Sequence, residues 1–262
     1  MESDSKQPSK AASIPSSDRD ASSGTSFGRF RDLEFLGKGG MAKVYRAYDP
    51  SLERSIALKF ISGEQTELIP RFLLEAKAQA RIDHKHVCKV YEVGEAESGP
   101  YIVMQLIRGN TLLQVMDELT QEQKLKLMKE VAEAVHAAHR EGLIHRDLKP
   151  SNIMVERDDQ GEWIPYVLDF GLARELTDKG LTATGTILGS PWYMSPEQAR
   201  GEIRTLDRRT DVYSLGVTLY QLLTGKFPFE AESAVEVLMK LLNEESVPVR
   251  RWNSRLPADL QT

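Results

Sequence analysis

Asp147, Lys149, Asn152 and Asp169 fall in one short stretch that reads IHRDLKPSN at 144–152 and DFG at 169–171. Between the two motifs lie an apolar run IMV, a polar turn RDDQG and a second apolar run YVL, a strand–turn–strand pattern. Two carboxylates, one ammonium and one side-chain amide are therefore presented on either side of a hairpin. Phosphoryl transfer requires such a set: an Asp beside the attacking hydroxyl, a cation near the transferred group, and oxygen ligands for Mg²⁺. Asp147, Lys149, and then Asn152 with Asp169 supply these in order. HRDxKxxN followed by DFG is long and specific, which leaves chance as a poor explanation.

On these motifs the sequence resembles the eukaryotic-like serine/threonine protein kinases of bacteria. The resemblance implies an α+β, bilobal protein-kinase fold. A small antiparallel β lobe with one main helix would occupy about 28–107 and a larger, mostly helical lobe about 108–262. It further implies a phosphotransferase that uses ATP and Mg²⁺, with Mn²⁺ as the alternative metal. Asp147 would orient or deprotonate the acceptor hydroxyl, Lys149 would stabilise charge on the transferred group, and Asn152 and Asp169 would ligate the metal. Lys at 149 is similar to the serine/threonine branch, since tyrosine kinases carry Ala or Arg near this place. The partners implied are proteins with Ser/Thr acceptors, and a transient homodimer for autophosphorylation.

Stepping upstream, residues 1–27 are rich in Ser, Asp, Lys and Pro with almost no large apolar side chains, and read as a disordered tail. From Phe30, apolar and polar residues alternate with glycines between them, which predicts strands joined by tight turns. Gly37, Gly39 and Gly40 sit between two strand patterns rather than before a helix, which argues against a dinucleotide-binding loop. Taken alone they fit an ordinary hairpin equally well. The resemblance makes this the loop over the phosphates, with Leu36, Lys38, Met41, Lys43 and Val44 around the glycines and Ala42 in the third glycine's place.

Lys59 in the strand pattern IALKF and Glu75 in the helical pattern IPRFLLEAKAQARI could each be a surface residue. In the resemblance they pair, and Lys59 grips the α- and β-phosphates. Residues 86–93 and 100–107 read as two more strands, separated by GEAESG. By resemblance Met104 backs the adenine pocket, Val44, Ala57 and Met154 pack against the base, and backbone groups of Gln105, Leu106 and Ile107 hydrogen-bond it.

Downstream, Thr120 and Gln123 stand in capping-box positions for a long helix with an expected buried stripe of Leu125, Met128, Ala132, Val135 and either Ala138 or His139, ended by Gly142. His136 and His139 on this helix are too few for a metal site and read as packing. His145 and Phe170 also read as packing, and Asp211 as a cap on the catalytic loop's backbone. Residues after RLPADLQT, including the Arg that partners Glu197 in the family, are absent, so the chain is expected to be a fragment.

The bulk numbers set limits on function. With 262 residues, 40% hydrophobic and 28% charged, the chain suits one large domain or two packed lobes. A formal net charge of −5 gives no bulk positive field for nucleic acid. The single cysteine, Cys88, excludes an internal disulfide and a four-cysteine zinc site. No signal-peptide pattern or apolar run near the ~20 residues of a membrane helix is present, so a cytoplasmic setting is expected, with any anchor lying past residue 262.

The stretch LARELTDKGLTATGTILGSPWYMSPE at 172–197 is long, Gly- and Thr-rich and aperiodic, as a loop should be. Thr182 and Thr184 lie where related bacterial kinases carry activating phosphothreonines, and Arg146 directly precedes the catalytic Asp. A phosphate adds about −1.5 to −2 charges and strong acceptor oxygens, enough to recruit a guanidinium. The Thr182→Ala/Thr184→Ala variant should therefore phosphorylate a protein substrate more slowly than wild type. Equal initial rates for wild type, phosphatase-treated wild type and this variant would end the regulatory reading.

Overall fold

Strands β1 (Arg31–Gly39), β2 (Ala42–Asp49), β3 (Arg54–Ile61), β4 (Val90–Ala96) and β5 (Gly99–Gln105) pair in the order β1-β2-β3-β5-β4, every pair antiparallel. A computed structural model of the chain describes residues 25–39, 42–61, 69–96, 99–170 and 191–261. Successive side chains of a strand point to opposite faces, and cross-strand partners share one. One face thus carries Tyr45, Leu58, Phe60 and Val103, which pack with Phe30 and Leu33 into a buried core. The other face carries Ala57 and Lys59, together with their cross-strand partners Met104 and Val44.

The chain divides into two units, Met1–Lys77 with Lys89–Leu106, and Ala78–Cys88 with Ile107–Thr262. Helix α1 (Ile69–Gln79) follows β3. The strand expected from residue 86 begins instead at Val90, because the segment before it serves the second unit. Val87 bridges Val167, the Cys88 N–H donates to the Val167 carbonyl at 3.0 Å, and the Val167 N–H donates to that of His86 at 2.8 Å. Val87 and Ile82 join that unit's apolar core, which favours this placement over a longer edge strand.

In the second unit a small sheet runs β6 (Asn110–Thr111), β7 (Ile153–Arg157), β8 (Trp163–Val167), in that order. At Gly109 an added Cβ would come within 2.0 Å of the Val155 carbonyl oxygen, so only glycine lets the chain pass β7 here. Helix α2 (Leu112–Val115) is short, and α3 (Gln121–Arg140) is the long one. Thr120 and Gln123 form the expected capping box. The helix stops at Gly142, φ 77°, with the Gly142 N–H on the His139 carbonyl and the Leu143 N–H on that of Ala138, a Schellman ending. Its buried stripe is Leu127, Met128, Val131, Ala134, Val135 and Ala138, and Ala132 is exposed. Of the expected stripe Met128, Val135 and Ala138 are buried, whereas Leu125 is half-buried against a satellite cluster with Tyr220 and Leu223. Helices α4 (Pro196–Ala199), α5 (Arg208–Thr224), α6 (Ala234–Asn243) and α7 (Val249–Trp252) complete the unit.

Residues 25–27, expected to belong to a tail over 1–27, are packed instead. Phe27 is only 2% exposed, edge-on to Phe60 with centroids 4.7 Å apart and to Tyr101 at 5.1 Å. Phe27 and Phe30 exchange backbone hydrogen bonds of 2.9 Å, and the Leu33 N–H donates to the Thr25 carbonyl. One aromatic ring in a low-apolar segment was enough to dock its last residues. Deleting residues 1–24 should leave the thermal midpoint unchanged. Phe27→Ala should cost about 3–5 kcal/mol and lower the midpoint by on the order of 10 °C. Thermal unfolding followed by circular dichroism checks both, and a Phe27→Ala midpoint within a degree or two of wild type would refute the docking.

Candidate active site

The β7–β8 hairpin works as a ruler. Ile153 opposes Val167, so the residues just before β7 and just after β8 emerge side by side, and the Leu168 N–H donates to the Asn152 carbonyl at 3.0 Å. This register brings the segment 145–152 next to Leu168–Asp169–Phe170. Asp147 Oδ2 accepts from Lys149 Nζ at 2.8 Å and from Asn152 Nδ2 at 3.1 Å, and Asn152 Nδ2 also donates to the Asp147 carbonyl at 2.7 Å. A 3₁₀ turn, Pro150–Asn152, closed by the Asn152 N–H on the Lys149 carbonyl, sets that spacing.

The backbone around the cluster is strained. Arg146 (φ 65°) and Asp169 (φ 53°) both occupy the left-handed region, which costs on the order of 1–3 kcal/mol each for such residues unless neighbours hold them. The holder for Arg146 is Asp211, fully buried in the first turn of α5. Its Oδ1 accepts the Arg146 N–H and its Oδ2 the His145 N–H, each at 2.8 Å, and Oδ2 also accepts from His139 Nε2 at 2.7 Å. The Asp147 N–H donates to His145 Nδ1 at 3.3 Å. The ring hydrogen therefore lies on Nε2, which donates to the Leu168 carbonyl at 2.8 Å and ties the loop to the segment bearing Asp169. The His145 ring sits 4.9 Å from that of Phe170.

Behind residue 190 the chain is pinned to α5. Ser214 Oγ donates to the Tyr193 carbonyl at 2.9 Å, and the Tyr193 hydroxyl donates to Gln221 Oε1 at 2.6 Å while burial pushes its pKa up to about 12. Glu197 accepts from Thr210 Oγ1 at 2.7 Å. Burial would raise its pKa, but that hydroxyl, a backbone N–H and Ser195 together hold it below the ordinary value.

The other expected residues sort by unit. In the first, Val44, Ala57, Lys59 and Met104 share one sheet face, and Lys59 is 8% exposed. Gly37, Lys38 and Gly39 are the last residues of β1 and pair with Val44, Lys43 and Ala42, so these glycines lie within the strand rather than between strands, while Leu36 is 49% exposed. Glu75 lies half-buried on α1. The Gln105 N–H donates to the Lys89 carbonyl at 2.8 Å, which removes it from the connector groups expected to read a base. Ile107 and Met154 belong to the second unit. Gly40, Met41, Thr182 and Thr184 lie outside the described residues. Sequence reasoning read His139 as packing and overlooked Gln198, whose amide reaches the Arg146 carbonyl at 2.8 Å. Nothing local in the sequence marks either role, because both partners are distant in the chain.

Residues 30–259 match the family model for the protein kinase domain. The chain belongs to that family. It is 38% identical over 240 residues to the serine/threonine-protein kinase PrkC of Bacillus subtilis, covering 89% of this chain and 36% of PrkC. It is 43% identical over 237 residues to the serine/threonine-protein kinase pkn3 of Myxococcus xanthus, covering 85% of this chain and 42% of pkn3. The crystal structure of the Mycobacterium tuberculosis PknI kinase domain matches with a TM-score of 0.69 and 26% identity, over 90% of this chain and 86% of that one. The kinase domain thus spans 36–42% of the length of these two curated relatives. Protein kinases use ATP and a divalent metal to modify proteins. The Asp169 carboxylate and the Asn152 amide oxygen are hard donors of the kind Mg²⁺ accepts alongside substrate phosphates, so this donor set fits such a metal. Among the described residues no cluster of three or more His, Cys, Asp or Glu could form an all-protein cage, and no helix is long and apolar enough to cross a membrane.

Asp211→Ala would leave three donors without their acceptor in a buried place. It should destabilise the kinase domain by about 3–5 kcal/mol. Urea unfolding measures this, and a loss below 1 kcal/mol would show that the loop keeps its shape without α5.

Proposed function

We infer that the kinase domain transfers the γ-phosphate of ATP to serine and threonine hydroxyls of proteins. The observation that carries this reading is the Asp147 carboxylate, which Lys149 and Asn152 grip by one oxygen only. With Oδ2 occupied, Oδ1 is the oxygen for the acceptor hydroxyl, from which it takes the proton as the new P–O bond forms and the bond from the γ-phosphorus to the β-phosphate oxygen breaks, leaving ADP. Lys149 Nζ stays beside that carboxylate and offsets charge on the transferred group. Asn152 and Asp169 would hold Mg²⁺, or Mn²⁺ in its place, which draws charge from the phosphate oxygens when bound.

Nucleotide contacts are assigned residue by residue. Lys59, supported by Glu75, takes the α- and β-phosphates. Gly37, Gly39 and Gly40 let backbone N–H groups approach the phosphates, with Leu36, Lys38, Met41, Ala42 and Lys43 completing that loop. Val44, Ala57, Met104 and Met154 supply apolar surface for adenine, and the Gln105 carbonyl and Ile107 backbone its hydrogen bonds. Retention of Lys59, Asp147 and Asp169 favours an active enzyme over a nucleotide-dependent binding module. Regulation would run through phosphorylation of Thr182 or Thr184 in a transient homodimer, with Arg146 receiving the phosphate. A reducing, cytoplasmic compartment suits the single buried thiol of Cys88.

Asp147→Asn should lower kcat by on the order of 10²-fold or more while ATP affinity holds. Transfer of radiolabelled phosphate to a protein substrate, paired with nucleotide titration, measures both quantities. Turnover near that of wild type would rule out the role given to Asp147.

A further inference from the structure

Gln198 uses both ends of its side-chain amide. Its Oε1 accepts the Ser195 N–H at 3.1 Å, which with the Gln198 N–H on Ser195 Oγ makes the capping box that starts α4. Capping needs only the oxygen. The nitrogen is turned to the catalytic loop, where Nε2 donates to the Arg146 carbonyl at 2.8 Å. That carbonyl belongs to the peptide unit whose other end is the Asp147 N–H, held by His145 Nδ1 at 3.3 Å. One peptide plane is therefore gripped at both ends, directly before Asp147 and directly after a residue at φ 65°. Rotation of this plane would swing the Asp147 carboxylate away from Lys149 and Asn152. Asp211 holds the preceding N–H groups but touches neither end of this plane.

We propose that Gln198 is a positioning residue for Asp147, fixing the Arg146–Asp147 peptide through its amide nitrogen. Its effect on rate rests on the kinase reading above, whereas its effect on the loop backbone does not. The two functions of the side chain separate by substitution. Gln198→Glu keeps a capping oxygen, and Glu is as competent as Gln at this place in a capping box, but it has no N–H for the Arg146 carbonyl. Gln198→Lys keeps a donor and loses the capping oxygen.

The experiment is amide hydrogen exchange over residues 144–149, with steady-state kinetics and thermal unfolding of wild type and both variants. Gln198→Glu should melt near the wild-type temperature, exchange about 3- to 10-fold faster in that segment, and lose a similar factor in kcat at unchanged KM for ATP, the size of one ordinary hydrogen bond. Gln198→Lys should melt lower yet keep more of the rate and slower exchange than Gln198→Glu. A residue that merely caps α4 gives the reverse order, and that order, or unchanged exchange in Gln198→Glu, overturns the proposal. A wild type that transfers no phosphate would sink the kinase reading, while the exchange data would still decide for or against Gln198.

Discussion

A buried carboxylate with three donors around it is the constraint on which the second unit depends. Asp211 has no solvent exposure, and a charge so placed is costly unless hydrogen bonds replace its water. The donors are the His145 and Arg146 N–H groups and His139 Nε2, so satisfying the carboxylate requires that the catalytic loop and α3 close on α5. The same bonds hold Arg146 in a conformation that a free chain would leave. Helix α5 is suited to this task because it is buried along much of its length and capped at Asp207. The polar contacts are thus also the scaffold, with little slack for the loop to adopt another shape.

Around that anchor the chemistry is laid out by two sheets using one rule. In the small sheet, the pairing of Ile153 with Val167 sets Asn152 beside Leu168, which places metal-ligand candidates at the end of a rigid hairpin. In the five-stranded sheet, alternation puts an aromatic core on one face, leaving Ala57, Lys59 and Met104 on the other. A one-residue slip in either register would invert these faces and scatter the groups. Precision at the site comes from β pairing rather than from the loops that bear the functional atoms.

Where sequence reading failed, long-range packing overrode a local signal. Phe27 stands in a segment whose composition reads as solvated, yet its ring completes a cluster with Phe60 and Tyr101 that no local count reveals. Residues 86–88 look like the start of a strand, but the Cys88 N–H and the His86 carbonyl are bonded to Val167, about eighty residues away in the chain. On α3 the apolar residues allow two stripes, and the neighbouring elements select the one through Leu127 and Val131. Glu197 is met by Thr210, a hydroxyl that composition gives no reason to single out.

By itself the sequence determined the family and the stretch that carries its motifs. HRDxKxxN and DFG are long enough to mark a protein kinase domain, and they gather two carboxylates, an ammonium and an amide into one short segment. It also determined the first three strands, the capping box of α3 and the glycine that ends it, since alternation, caps and positive φ are local properties. Only the tertiary structure decided how the chemistry is held. The grip of Asp211 on residues 145–146, the tie from His139, and the reach of Gln198 to the Arg146 carbonyl join residues 52 to 72 positions apart. Such bonds depend on where whole helices come to rest, and that is set by the sum of buried contacts rather than by any one stretch of residues.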